Sequence, residues 1–396
     1  MKIGYYGDLH PIQRNIIGIL PGADYRKVHD ANNIKRKIYR RVGRTPLNRL
    51  NLVTPDFVAG FNDIDLNRID LLHFFNTVSL GSTPWVTSFE QCVPRPHVNW
   101  RRLARDQRES YAALFQRQTL DALEMLGGDS CKKLIVQSEC SLNLQLDFLQ
   151  DYPQFRAQIE RKLTVLHPPQ KSLFDSYESK HLSLDGPVHF IFVGSAFFRK
   201  GGMEILEVFE ECKRRHGCDI TLTIVSSLKK DNYATKETEE DIKIARARIH
   251  ENSDWINYYG YLPNHKALDL MRSAHIGLLP TYSDTYGYSM LEFQAAGCPV
   301  ISTDVQALPE INNNETGWLI EIPKNRSGEA VSSTKEERNQ VRRAIIRGLT
   351  GAISEIMEDR EIIAAKADAA VRHISDHHSP EEYSRRLGEI YQHALL

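Results

Sequence analysis

Short apolar runs alternate with helix-length segments along this chain, in two separate series. The first series is Lys2–Tyr6, Leu71–Phe75, Trp85–Ser88, Lys133–Gln137 and Leu163–Leu166. The second is Val188–Val193, Thr221–Val225, Ile256–Tyr259, Ile276–Leu279 and Pro299–Ser302. Runs that are apolar throughout suit strands covered on both faces, and such strands joined by helices build parallel sheets. His167-Pro-Pro169 cannot continue a ladder, and a polar, irregular stretch follows from Gln170 to Gly186–Pro187. The fold class expected is therefore α/β, with parallel-sheet domains over 1–170 and 186–378. Ligands of open parallel sheets bind beyond the carboxyl ends of the strands, so two such domains would line one cleft.

Among the helices, Asn99–Leu126 is long and free of Gly and Pro. Met203–His216 carries an apolar face of Met203, Leu206, Val208 and Phe209. Lys229–Asn252 reads as an exposed loop and helix, and Lys324–Arg338 as a surface loop. Two helices are expected to close the chain, Arg338–Met357 and Ser379–Leu395, with the last (379–396) packing back onto the first domain.

The chain's 396 residues carry a net charge of −1, which argues against a dedicated nucleic-acid binder. That total conceals an asymmetry. Residues 1–185 have 25 Lys+Arg against 20 Asp+Glu, and 186–396 have 25 against 31, giving +5 and −6. The six cysteines (Cys92, Cys131, Cys140, Cys212, Cys218, Cys298) form no CxxC pair and none lies at zinc spacing from a histidine. They read as semi-buried thiols of a reducing compartment, although Cys212 and Cys218 are spaced so that they could pair. The opening MKIGYYGDLH has no signal-peptide pattern, and no apolar run approaches about 18 residues. A cytoplasmic protein is expected, with peripheral attachment to the inner face of a membrane left open.

Three motifs carry the chemistry, and all lie in the second half. In Phe192-Val-Gly-Ser-Ala-Phe-Phe-Arg-Lys-Gly-Gly202 a strand turns at Gly194, offers Arg199 and Lys200, and enters a helix at Gly201–Gly202. Two cations beside the free N–H groups of a helix start suit a phosphate or diphosphate. In the segment from Leu279 to Asp304, a strand ends at Pro280 and a polar, aromatic loop carries Asp284. Gly287, Tyr288 and Ser289 then open a helix that contains Glu292. Acceptors for sugar hydroxyls next to donors for phosphate are what a sugar nucleotide requires. In Tyr258-Tyr-Gly-Tyr-Leu-Pro-Asn-His-Lys-Ala-Leu268 a strand passes through Gly260 and Pro263 to a helix capped near Asn264. That turn suits a flat base, and equally an ordinary strand–helix connection.

In their order and spacing these motifs resemble the family-4 retaining glycosyltransferases, over about 188–320. The matching segments are Gly194 to Gly201, Tyr259 to Pro263, Asp284-x7-Glu292, Ala295-Ala-Gly-Cys-Pro-Val-Ile301 and Leu308-Pro-Glu-Ile311. The resemblance implies the GT-B fold, two facing Rossmann-like domains with a cleft between them. It implies a transfer, without metal or other cofactor, of a sugar (a hexosyl group) from a nucleotide-diphosphate sugar to an acceptor hydroxyl. The setting would be glycan, polysaccharide or glycolipid synthesis.

Under this resemblance Arg199 and Lys200 hold the diphosphate, and Glu292 the ribose. Asp284 lies near the donor sugar, Gly287, Tyr288 and Ser289 contact sugar and phosphates, and Tyr261 lines the base. Asp284 stands where the family usually has Glu, one methylene (about 1.5 Å) shorter. In the first half, Gly4–Asp8, with Gly7, resembles the turn that approaches the diphosphate from the opposite domain. Trp85 to Pro94 resembles the family's strand and loop ending Thr-x-His-Asp. Phe89 then stands at the usual His and Glu90 at the usual Asp, so Glu90 is read either as an acceptor-binding carboxylate or as structural. Ser138 to Ser141 resembles a structural segment.

The first half is also where basic residues concentrate. Arg26–Arg49 holds nine Lys or Arg against Asp30, with Ile34, Ile38, Tyr39 and Val42 interleaved. It reads as a surface for an anionic membrane or acceptor, or as a solvated helix face. A second group, Arg95, Arg101, Arg102, Arg105 and Arg108 around Trp100, could bind an anionic acceptor, a glycan or lipid-linked hydroxyl compound. Asp63-Ile-Asp65 is the chain's Asp-x-Asp and reads as surface structure. The competing function is a catalytically inactive nucleotide-sugar-binding or scaffold protein on the same fold. A hydride-transferring dinucleotide enzyme is excluded by the lack of a G-x-G-x-x-G opening followed by an acidic residue about 20 positions on.

Overall fold

The apolar runs become strands of two parallel sheets in a computed structural model of the chain, which describes residues 1–7, 11–31, 60–62, 66–94, 118–230 and 234–396. The first sheet holds β1 (Lys2–Tyr5), β2 (Asp24–Lys27), β4 (Leu71–Phe75), β6 (Trp85–Phe89), β7 (Cys131–Val136) and β8 (Leu163–Val165). Their order is β2-β1-β4-β6-β7-β8, while β3 (Gly60–Phe61) and β5 (Val78–Ser79) form a separate parallel pair. Leu72, Phe74, Trp85, Phe89, Leu134 and Val136 are the centre of its core.

The second sheet holds β9 (Val188–Val193), β10 (Ile220–Val225), β11 (Ile256–Tyr259), β12 (Ile276–Leu279), β13 (Val300–Thr303) and β14 (Gly317–Ile320), in the order β11-β10-β9-β12-β13-β14. Counted from its own first strand this is 3-2-1-4-5-6, the order of the doubly wound dinucleotide fold. The order reverses between β9 and β12, which pair with Ile276 opposite Phe190. Their carboxyl ends therefore open side by side, at the position where such sheets bind ligands. Helix Tyr288–Ala295 packs closely on this sheet because Gly277 has no side chain. A Cβ there would lie 2.5 Å from the Phe293 ring.

The chain divides into two compact units, Met1–Pro169 with Pro380–Leu396, and Gln170–Ser379. Helix Pro380–Leu395 belongs to the first. Its Tyr391 hydroxyl lies 2.6 Å from His73 Nδ1 in β4, and the other ring nitrogen lies 2.8 Å from Ser88 Oγ in β6. Burial pushes the His73 imidazole down to about 3, so it stays neutral at ordinary pH. Ser384 Oγ also donates to Ile19 O, and Arg386 to Val165 O.

Several expectations are corrected. Three helices, not two, close the chain: Lys335–Glu358, Glu361–His377 and Pro380–Leu395. The first starts within the expected surface loop because Thr334 and Glu337 form a reciprocal capping box. Arg26 and Lys27 lie in edge strand β2, paired with β1, not on a basic helix. The rest of that segment up to Arg49, apart from 28–31, lies outside the described residues. So do Asp63–Asp65, the arginines at 95, 101, 102, 105 and 108, and the first part of Asn99–Leu126, whose described end is helical over 118–127. Cys212 and Cys218 form a disulfide, where free thiols were the main reading. Gly217 in the left-handed region (φ 59°) turns the chain there, and Cys218 N–H returns to Cys212 O.

The stretch read as a plain linker contains a clamp. Lys180 is buried, and its ammonium donates to Ala274 O at 2.7 Å, Gly297 O at 3.1 Å and Cys298 Sγ at 3.2 Å. Gly297 gives it room, since a Cβ there would meet Lys180 Cδ at 2.8 Å. Lys180→Ala should leave carbonyls unpaired and a cavity behind, at a cost of about 3 kcal/mol in unfolding free energy. Denaturant titration against wild type checks this; an unchanged midpoint would contradict the clamp.

Candidate functional site

The loop after β9 and the loop after β12 are stitched together at the switch point. Between Gly194 and Gly201 the chain closes a tight turn in which Lys200 N–H donates to Ala196 O and Gly201 N–H to Phe198 O. Gly194 was expected to allow the turn; its structural reason is different. A Cβ there would lie 2.5 Å from Lys200 Cδ, so the missing side chain is the channel along which Lys200 runs. Gly201, at φ 82°, is the N-cap of helix Gly202–His216. From the other loop, Tyr282 N–H and Thr281 Oγ1 donate to Arg199 O, at 2.8 and 3.1 Å. Arg199 Nη1 returns a hydrogen bond to Ser283 O at 2.5 Å.

Lys200 and Asp284 form an ion pair with Nζ–Oδ2 at 2.9 Å, both largely covered. Asp284 Oδ1 accepts from Gly287 N–H at 3.0 Å. Burial alone would push the Asp284 carboxyl up. The Lys200 ammonium and its hydrogen bond, Arg199, and the Gly287 amide outweigh this and hold it below the usual carboxylate range. The two residues that the resemblance assigns to diphosphate and donor sugar thus hold each other in place.

Gly287, at φ 81°, is the N-cap of helix Tyr288–Ala295 and rests on Leu308, whose Cδ2 would lie 2.5 Å from an added Cβ. Both helices start on a glycine with no side-chain cap at that position, and the Gly202 amide donates to Phe197 O. Two such helix starts, at the carboxyl ends of adjacent strands and next to Arg199 and Lys200, make a basin for negative charge. Ser289 Oγ, in the first turn of the second helix, is buried with no hydrogen-bond partner. Tyr288 is half-buried and its ring lies 5.4 Å from that of Tyr286. Glu292, one helical turn past Tyr288, accepts from Asn264 Nδ2 at 2.7 Å. Asn264 was expected to cap its helix; Pro263 occupies the cap, and the Asn264 amide is committed to Glu292. Tyr261 stands 86% exposed on the turn after β11.

Sequence reasoning missed Thr281, Glu204 and the partner of Asn264. Glu204, in the first turn of helix Gly202–His216, is buried and accepts from Tyr282 Oη at 2.8 Å, which supports the loop from beneath. Burial pushes its carboxyl up. No local pattern marks these contacts, because Asn264–Glu292, Thr281–Arg199 and Glu204–Tyr282 each span 28 or more positions.

On the first unit, Gly7 (φ 95°) follows β1 with open space where a Cβ would be. Glu90 follows β6, and β4 lies between those strands in the sheet. Ser141 Oγ donates to the Glu90 carbonyl at 2.6 Å, and Ser138 caps helix Glu139–Leu149, consistent with a structural role for that segment. Phe89 is buried in β6. Among the described residues no cluster of His, Cys, Asp and Glu has the makings of a metal site.

Comparison with known proteins points to glycosyltransferases. Residues 174–351 match the family model for glycosyl transferases group 1. Glycogen synthase of Mycobacterium tuberculosis is 23% identical over 207 residues, 52% of this chain and 42% of that protein. The D-inositol 3-phosphate glycosyltransferase of Paenarthrobacter aurescens is 28% identical over 153 residues, 37% of this chain and 36% of its own. The chain thus spans less than half the length of these curated relatives. Among solved structures, Anabaena HepE in complex with UDP gives a TM-score of 0.60 at 12% identity, over 99% of this chain and 100% of that one. The fold is the GT-B fold, built from two Rossmann-like α/β domains with parallel sheets.

Proposed function

We propose that this chain is a retaining glycosyltransferase of family 4, moving a hexosyl group from a nucleotide-diphosphate sugar to an acceptor hydroxyl without a metal ion. The observation that carries the reading is the basin at the switch point. Two glycine-capped helix starts, Arg199 and Lys200 converge where the sheet order reverses. In this reading Arg199, Lys200 and the helix starts after Gly201 and Gly287 hold the diphosphate. Glu292 binds the ribose, Tyr261 lies by the base, and Asp284, Tyr288 and Ser289 face the donor sugar. HepE has been solved with UDP and with UDP-glucose, which supports a uridine nucleotide as the first donor to try.

Negative charge grows on the diphosphate as the glycosidic bond breaks, and fixed cations and helix ends stabilise it without reorganising. A diphosphate oxygen takes the acceptor's proton as its oxygen attacks from the same face, so no strong protein base is needed. That fits Phe89 at the position of the usual His. The first unit, 1–170 with the closing helix, would bind the acceptor, with Gly7, Glu90, Arg101 and Arg102 on that side. The basic segment 26–49 would meet an anionic acceptor or the surface of a membrane. No helix among the described residues is long and apolar enough to cross one.

The test is a panel of UDP-, GDP- and ADP-sugars, reading release of nucleoside diphosphate with and without EDTA and the anomeric configuration of the product. The reading predicts turnover of one donor class, insensitivity to EDTA, and retention. Loss of turnover in EDTA would remove the metal-independent assignment, and an inverted product would remove retention. Tight donor binding with no turnover would favour the inactive scaffold.

A further inference from the structure

We infer that Asn264 is a positioning residue that aims the Glu292 carboxylate at the nucleotide ribose, and so sets the preference for ribonucleotides over deoxyribonucleotides. This rests on the reading of Glu292 as the ribose ligand. Asn264 is the first residue of helix Asn264–Arg272, directly after the Tyr259–Pro263 turn. Here Pro263 is the N-cap and makes no side-chain cap, while the Asn264 amide donates 2.7 Å to Glu292 Oε1 on the neighbouring helix. The bond spans 28 positions of the chain.

The bond has a geometric consequence. Glu292 has three side-chain torsions, and the last is broad and roughly two-fold. A donor fixed on one oxygen selects one rotation of the carboxylate plane. A ribose diol asks for that: its two neighbouring hydroxyls must meet the carboxylate in one orientation, and a carboxylate already held there loses less freedom on binding. Asn264 is only half-buried, so the bond is not needed to satisfy a polar group sealed in the core. It also joins the turn proposed for the base to the residue proposed for the sugar of the same nucleoside.

The experiment measures dissociation constants of UDP and 2′-deoxy-UDP, with the GDP and ADP pairs alongside, for wild type, Asn264→Ala and Asn264→Ser. Wild type should prefer the ribonucleotide. Both variants should weaken ribonucleotide binding on the order of tenfold, as for loss of a hydrogen bond to a charged group. Their affinity for the deoxynucleotide should change far less, so the preference collapses. A loss that only joined two helices would lower the melting temperature and weaken both nucleotides equally, and that outcome overturns the inference. So does an unchanged preference in either variant. If wild type binds a nucleoside diphosphate but makes no distinction between ribose and deoxyribose, the Glu292 assignment falls first and takes the inference with it. If wild type binds none of them, the nucleotide-sugar reading falls.

Discussion

Replacing Lys200 by alanine is expected to lower donor turnover by about 10²–10³-fold, the usual cost of removing one preorganised group that stabilises transition-state charge. Lys200 is not an exposed lysine that a neighbour could replace. Its stem runs over Gly194, whose Cβ would collide with it, and its ammonium is fixed 2.9 Å from Asp284. Arg199 is held in its own place by the bond from Nη1 to Ser283 O. The variant should also be less stable. Removing one partner of a largely covered ion pair leaves the other charge uncompensated, at a cost of about 3 kcal/mol. The sign with pH follows from Asp284, whose carboxyl is held below its ordinary range. Its stabilising contribution is complete at neutral pH and is lost as pH falls through the lowered value, so wild type and Lys200→Ala should converge in stability in acid. Asp284→Ala added to Lys200→Ala should recover much of the stability and none of the turnover. Recovery of both would mean that Lys200 serves only to balance Asp284.

Gly201→Ala is the second large effect. A Cβ there would lie 2.2 Å from the Pro280 carbonyl oxygen and 3.0 Å from its carbon, and these are backbone atoms that cannot rotate away. The residue also sits at φ 82°, where an L side chain adds its own strain. The loops after β9 and β12 must part, so the substitution should cost about 3 kcal/mol or more and abolish nucleotide binding. Gly217 supplies the control, since it lies at φ 59° with nothing within 4 Å of an added Cβ. Gly217→Ala should cost about 1 kcal/mol and leave binding intact. Equal effects of the two alanines on nucleotide affinity would show that backbone strain, not the closeness of the two loops, matters at Gly201.

What could be read from the residues follows from which contacts are local. Strands such as Val188–Val193, Leu71–Phe75 and Ile276–Leu279 are apolar but for His189 and His73, and their bounds are visible in the run itself. Edge strand β2 is mostly exposed, so Asp24–Lys27 has no apolar signature and its basic residues resembled a helix face. Helix Glu361–His377 escaped because alanines, Ala367 and Ala370, make up much of its buried face, and only Asp359–Arg360 separates it from the helix before. At the site, the glycines and cations of 194–201 and the glycine and carboxylates of 284–292 stood out by type and spacing. Their real partners did not. Gly194 serves the side chain six positions on, Asn264 reaches Glu292, and Lys180 reaches carbonyls 94 and 117 positions away. Residue type indicates that a polar group needs a partner; only the folded chain chooses it.

The loop after β9 is proposed to hold the diphosphate. Calorimetric titration of the nucleoside diphosphate of the preferred donor, and of the corresponding nucleoside, into wild type and Lys200→Ala tests it most directly. Wild type should bind the diphosphate far more tightly than the nucleoside, and the variant should lose at least about tenfold of that preference while binding the nucleoside as before. Equal diphosphate affinity in the two proteins would contradict it.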